Sequence, residues 1–234
     1  MGVKGGVSTD KVVFNQERTK AIERLIQSGY IQTPKVIRAM KQVPREEFLP
    51  QALRERAYID TPLPIGYGQT ISALHMVGMM AEALNLSQGQ IVLEVGSGSG
   101  YHAAVIAEIV ARQAADPVGH VYTLEIIPEL FRFAKANLRK TQYDQRVTSI
   151  LSDGSLGLPD HAPYDRIYVA AAAPKIPLPL TQQLRQKGLL VIPIGRRHFF
   201  QELVRVKKDD EHLIQDSLGG VAFVPLIGKH GWKQ

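Results

Sequence analysis

The chain has 234 residues, a formal net charge of +6, 44% hydrophobic residues and 21% charged residues. These values fit a soluble globular protein with one sizeable core, and no apolar run reaches membrane-spanning length. The absence of cysteine excludes disulfides, thiolate zinc sites and cysteine nucleophiles.

In chain order, "MGVKGGVSTD" lacks the apolar core of a secretory signal and reads as a flexible tail. A cytoplasmic location is expected. Residues 15–29 place Ala21, Ile22, Leu25 and Ile26 on one helical face, with Gly29 at the end. Thr33 then caps a helix that opens on Pro34. A short third helix is expected over Glu46–Tyr58, a loop over 60–71, and a fourth helix over Ser72–Leu86. From residue 90 the pattern changes to "QIVLEV", "HVYTLEI", "RVTSIL", "YDRIYVA" and "GLLVIPI", short apolar strands separated by helices near 100–112, 128–140 and 177–187. That alternation predicts an α/β fold: a Rossmann-like, doubly wound, mostly parallel sheet. "QELVRVKK" and "HLIQDSLGGVAFVPL", around a turn at Asp209–Asp210, predict antiparallel edge strands at the C-terminal side. Residues 1–88 are read as tail, helices and a substrate-binding loop packed on a core of residues 89–234, together one domain. The basic residues are scattered apart from Arg196–Arg197 and Lys207–Lys208, which favours a solvated surface over a nucleic-acid footprint.

The strongest chemical signal is "VLEVGSGSGY", residues 92–101. A strand ends, Gly96, Gly98 and Gly100 follow, and a helix begins. Glycines there let backbone approach a ligand closely. The spacing is G-x-G-x-G rather than the G-x-G-x-x-G of dinucleotide sites. Glu94, two residues before the first glycine, repels a pyrophosphate but suits a cation. Glu125 closes the next strand, where a carboxylate accepts the hydroxyls of a ribose; alone it reads equally as a strand-end charge. Asp153 follows the third strand and is placed to accept from the exocyclic amine of adenine, or simply forms an Asp-Gly turn with Gly154. A ligand with an adenine, a ribose and a positive charge but no phosphate describes S-adenosylmethionine. There is no metal-ligand motif.

These residues resemble those of class I S-adenosylmethionine-dependent methyltransferases, and more closely the protein-L-isoaspartate O-methyltransferase family. The match is carried in order by "VPREEF" (43–48), "AYIDTPLPIGYGQTIS" (57–72), "VLEVGSGSGY" (92–101), "SDG" (152–154), "APYDRIYVAAAAP" (162–174), "GLLVIPIG" (188–195) and "VAFVPL" (221–226). The resemblance implies protein repair: methylation of the free α-carboxylate of an L-isoaspartyl residue, with S-adenosyl-L-homocysteine as product, followed by spontaneous succinimide formation and partial return to aspartate. It implies Ser72 as the active-site residue. Ile71, Ser72, His75, Gly96, Glu125, Ile126, Asp153 and Gly154 are implied at the cofactor. Many members have proline where this chain has Leu74, and many bacterial members have tyrosine where it has His75.

A carboxylate with a pKa near ~4 is ionised at neutral pH and needs no general base. The chain shows no obvious one. Catalysis then rests on orientation and a water-poor pocket. The Ser72 hydroxyl is placed to donate to the acceptor carboxylate; by position alone it reads as a helix N-cap. Thr70 reads as structural, and His75 as a cofactor contact or a core histidine. The partners implied are damaged proteins and peptides, with no nucleic acid and no membrane expected. The rivals are an RNA methyltransferase and a non-catalytic RNA-binding protein of the same fold. The nucleic-acid reading lacks the Asn/Asp-Pro-Pro-aromatic motif after the fourth strand, where this chain has "AAAAP".

Overall fold

The computed structural model describes residues 9–112, 118–197, 200–210 and 212–233. Helix α1 (Thr9–Gln27) starts earlier than the expected Asn15. Thr9 and Asp10 of the expected tail belong to α1, and its residues 1–8 lie outside the described residues. α1 ends where the sequence indicates: Gly29 has φ +75, and the N–H groups of Gly29 and Tyr30 bond back to the carbonyls of Ile26 and Leu25. α2 (Pro34–Gln42) follows Thr33, but the Thr33 side chain does not cap it. The hydroxyl donates instead to Glu82 Oε2 at 2.9 Å, and the N–H groups of Gln32 and Thr33 both donate to Glu82 Oε1 at 2.8 Å. A distant carboxylate on α3 (Leu74–Ala83) therefore holds the chain at the start of α2.

Two further expectations are corrected between α2 and α3. The single helix over Glu46–Tyr58 is two short 3-10 turns, Arg45–Phe48 and Gln51–Arg56. Pro50 lies between them and has no N–H to continue a helical ladder. The loop over 60–71 contains an antiparallel hairpin, β1 (Leu63–Gly66) with β2 (Gln69–Ile71). Its turn residues Tyr67 and Gly68 have φ +55 and +71, the pattern of a type I′ turn.

The main sheet is built from β3 (Ile91–Val95), β4 (His120–Glu125), β5 (Val147–Leu151), β6 (Tyr164–Val169), β7 (Leu184–Gly195), β8 (Gln201–Asp209) and β9 (His212–Val221). The strand order is β5-β4-β3-β6-β7-β8-β9. β3 to β7 pair in parallel, and β8 and β9 add antiparallel. The fold is the expected Rossmann-like α/β arrangement. α4 (Tyr101–Val110) and α5 (Pro128–Lys140) connect the first three of these strands, and α6 (Leu178–Gln183) precedes β7. α6 is shorter than expected because β7 already begins at Leu184. β9 ends at Val221, so "AFVPL" leaves the sheet instead of extending it.

The two faces of the sheet are covered unequally. Val92, Val121, Tyr168 and Val191 pack with Ile22, Met40, Leu84, Ile106 and Leu138 from α1, α2, the end of α3, α4 and α5. The alternate positions Leu93, Leu124, Ile167 and Ile192 pack with Leu180 of α6 and Leu226. The period-two pleat sets this division. It also puts Glu94 and Thr123, which pair across β3 and β4, on the helix-rich face.

Candidate active site

The loops that follow β3, β4, β5 and β6 open at one edge of the sheet, where open α/β sheets bind ligands. They surround a cavity of about 410 Å³, within the usual size of a small-molecule site. A larger hollow, about 820 Å³, lies between α1 and the second 3-10 turn, but it contains none of the residues expected to bind or react.

The glycine loop forms one wall. Gly96 and Gly98 have φ +95 and +53, where an L side chain is strained. The N–H groups of Gly96 and Ser97 donate to the Leu124 carbonyl, which ties the loop to the end of β4. Gly98 N–H donates to Glu125 Oε2 at 2.9 Å, while Glu125 Oε1 accepts the N–H groups of Ile126 and Ile127 at 3.0 Å each. Three backbone donors thus fix this carboxylate on the cavity wall, beside Ile126. A carboxylate has about four acceptor positions, so about one remains free. Accepting two ribose hydroxyls requires one of these three N–H groups to give way. Gly100 is different from its neighbours: it does not line the cavity. It is the N-cap of α4 with φ +86, and a Cβ there would sit 3.1 Å from Leu138 Cγ and 3.3 Å from the Ala134 carbonyl. Its missing side chain serves the contact of α4 with α5.

Glu94 lies on the cavity wall yet is completely buried. Thr123 donates to its Oε2, and Ser97 Oγ lies 2.5 Å from Thr123 Oγ1. Its Oε1 makes no well-formed hydrogen bond among the described residues, but the Tyr168 hydroxyl, equally unpaired, is close enough to stabilise the carboxylate. Burial pushes its pKa up to about 8; hydrogen bonds from Thr123 and Tyr168 oppose that, and the nearby Glu125 charge adds to it. A buried acid on the cavity wall suits a cationic group of a ligand. His102 and Tyr101, from the first turn of α4, also line the cavity and were not singled out in the sequence. Burial pushes His102 down to about 3, so it is neutral, and its ring lies 4.4 Å from that of Tyr168.

Asp153 is placed differently from expectation. Gly154 lines the cavity, but Asp153 does not. Asp153 Oδ1 accepts the Ser155 N–H and hydroxyl at 2.9 and 2.7 Å, and Oδ2 accepts the Lys229 N–H at 2.7 Å. The carboxylate closes an Asx turn and anchors the C-terminal segment. That segment then contributes Val224–Ile227 to the cavity, held beside the end of β6 by hydrogen bonds between Ala172 and both Val224 and Leu226.

The opposite wall is the end of the hairpin. Ile71 and Ser72 line the cavity with Gln69 and Thr70. Ser72 is not the N-cap of α3; Ala73 occupies that position and supplies no side-chain bond. The cap comes from Asp60, whose Oδ1 accepts the N–H of His75 at 2.9 Å. Asp60 also holds His75 Nδ1 at 2.9 to 3.0 Å. His75 therefore faces Asp60 and Tyr30, not the cavity, and it is not a core residue either. The carbonyl of Ser72 accepts from Arg45 Nη2 at 2.8 Å. The cation Arg197 also reaches the cavity; in the sequence it looks like half of a surface pair.

The comparisons with known proteins agree with this geometry. The profile of the protein-L-isoaspartate(D-aspartate) O-methyltransferase family matches residues 16–231. A protein-L-isoaspartate O-methyltransferase of Staphylothermus marinus is 57% identical over 94% of this chain and 98% of its own. One from Hyperthermus butylicus is 53% identical over 96% of this chain and 94% of its own. Among solved structures, a protein described as a protein-L-isoaspartate O-methyltransferase of Plasmodium falciparum, in complex with S-adenosyl-L-homocysteine, superposes with a TM-score of 0.78. It is 28% identical, covering 90% of this chain and 98% of its own. Fold, cavity and sequence thus converge, and the chain belongs to the protein-L-isoaspartate O-methyltransferase family.

Proposed function

We propose the following roles for these residues in the reaction of the family, methyl transfer to the α-carboxylate of an L-isoaspartyl residue in a damaged protein or peptide. S-adenosylmethionine, the methyl donor, supplies an electrophilic methyl group on its sulfonium and leaves as S-adenosyl-L-homocysteine. Glu125 and Ile126 hold the ribose side of the donor, and the Glu94 carboxyl faces the donor's positive charge, which favours its ionised form. The fully buried Glu94 carboxyl on the cavity wall, beside the Glu125 carboxylate, is the observation that best supports a cationic ligand. Ser72 donates its hydroxyl to the acceptor carboxylate and turns one oxygen toward the methyl group. That carboxylate is already ionised at neutral pH, so no side chain has to remove a proton. The acceleration comes from alignment and from exclusion of water by the apolar lining, which includes Ile71, Leu124 and Leu226. Beyond β6 the chain carries only Ala170–Pro174, so nothing at that position favours a nucleic-acid substrate. No described helix is long and apolar enough to cross a membrane; a cytoplasmic location belongs to the same proposal.

The test is incubation with labelled S-adenosylmethionine and matched peptides containing L-isoaspartate or L-aspartate. An alkali-labile methyl ester is expected on the first and little on the second. Equal labelling of both, or labelling of RNA instead, would overturn the assignment.

A further inference from the structure

Arg45, in the "VPREEF" stretch, is fully buried. Among the described residues no carboxylate lies within ion-pair distance of it, in contrast to Arg18, which pairs with Glu46 at 2.9 Å. Its hydrogen-bond partners are neutral, and the Asp60 carboxylate acts on its charge only from beyond ion-pair distance. Nε donates to the Ala57 carbonyl at 2.9 Å, Nη2 to the Ser72 carbonyl at 2.8 Å, and the guanidinium carbon lies 5.0 Å from the centre of the Tyr101 ring. Nη1 has no partner among the described residues. A buried charge without a close counter-charge is costly, and a hydrophobic side chain fills such a place with less penalty. The fork geometry of arginine lets it reach two carbonyls at once, which lysine cannot copy.

Where the two bonds lead is informative. Ala57 follows the second 3-10 turn, and Ser72 follows the hairpin, on the cavity wall. Neither segment has a regular ladder to fix it at that point. Arg45 joins them, and it places a positive charge one hydrogen bond from the peptide of Ser72. We propose that Arg45 is a positioning residue of the methyl-acceptor site: it fixes the Ser72 peptide through its carbonyl, and its unpaired charge lies behind the acceptor carboxylate. This rests on the reading of Ser72 given above. Both bonds explain why the charge is retained. The clamp needs the fork, and the incoming carboxylate adds to the counter-charge that the fold supplies only from a distance, through Asp60.

The two parts separate by substitution. Arg45→Lys keeps the charge and loses the two-carbonyl clamp. It should lower kcat by about tenfold or more and leave the KM for an isoaspartyl peptide within about threefold. Arg45→Gln loses both, so kcat should fall and KM should rise about tenfold. Affinity for S-adenosyl-L-homocysteine, measured by calorimetry, should stay within about threefold for both, because Arg45 does not line the cavity. If Arg45→Gln fails to fold, Arg45→Lys alone decides. Wild-type kcat in a folded Arg45→Lys protein, alongside a slow Ser72→Ala protein, overturns the proposal while sparing the reading of Ser72. Loss of S-adenosyl-L-homocysteine affinity in Arg45→Lys also overturns it, since that is what a role in general folding predicts. A wild-type protein that leaves the isoaspartyl peptide unmethylated counts instead against the functional reading itself.

Discussion

The two walls of the cleft are held in place by different means. On the donor side the parallel sheet supplies the positions. Glu125 stands at the end of β4 and is gripped by the N–H groups of Gly98, Ile126 and Ile127, all local products of strand, loop and helix start. On the acceptor side the backbone is irregular, and side chains do the holding. Arg45 clamps Ser72, Asp60 caps α3, and Glu82 closes the start of α2. A wall built by backbone is stiff wherever the fold exists. A wall built by a few charged side chains is set by those side chains, so single substitutions should shift it without unfolding the sheet.

The largest effect should come from the one costly charge on the donor wall. Burial lifts Glu94 to about 8 from 4.5. Between those values the folded chain keeps a proton that the unfolded chain has lost. Stability therefore falls as pH rises from about 4.5 to about 8 and levels off above that. The shift corresponds to a loss on the order of 4 kcal/mol. Glu94→Gln has nothing to ionise, so its stability relative to wild type should grow across that window. Urea unfolding of both proteins at pH 5 and pH 8.5, without ligand, measures the difference. An unchanged difference would mean that Glu94 is ionised in the fold throughout.

Next come two residues that line the cavity, Ser72 and Glu125. Ser72→Ala should slow single-turnover methyl transfer by about a hundredfold through misalignment. Affinity for S-adenosyl-L-homocysteine and the melting temperature should hardly move, since Ala73 and Asp60, not Ser72, form the start of α3. A destabilised variant with wild-type turnover would return Ser72 to a structural role. Glu125→Ala should do the reverse. It removes a charged acceptor worth about 1.5–3 kcal/mol, so the Kd for S-adenosyl-L-homocysteine should rise about tenfold or more. Unchanged affinity in a folded variant would take Glu125 out of the donor site.

The same contrast explains what the sequence made legible. The strands, Glu125 and the positive-φ glycines Gly96 and Gly98 follow from patterns a few residues long, and they stand where those patterns put them. Gly100 carries the same local signal, but its reason is the approach of Leu138 and Ala134 from α5, which no short window contains. Asp153 carries a local signal too, but its bond to the Lys229 N–H of the C-terminal segment spans 76 residues and has no local trace. The hairpin was hidden because Pro62, Pro64, Gly66 and Gly68 are breakers by composition, and its Tyr67-Gly68 turn lacks the usual Asn or Asp. The acceptor wall was least legible of all. Arg45 meets Ser72 across 27 residues and Asp60 meets His75 across 15, and neither pairing has a periodic trace.

The smallest expected effect tests whether the acceptor wall really depends on its side-chain caps. Asp60 accepts the His75 N–H in the first turn of α3 and also holds the His75 ring. Both side chains are about one-third exposed, at 36% and 29%, so the ion pair itself should contribute little. The cap bond should dominate, at about 1 kcal/mol. Asp60→Ala should then lower stability by about that amount, whereas Asp60→Asn, which keeps an acceptor oxygen, should cost only a few tenths. Thermal unfolding at pH 7.5 separates the two. Because α3 starts two residues after Ser72, Asp60→Ala should also slow turnover, by less than Ser72→Ala does, and Asp60→Asn should restore it. If Asn fails to rescue either readout, the charge of Asp60 and not its hydrogen bond holds this end of α3, and the acceptor wall is an electrostatic construction from Arg45 through to His75.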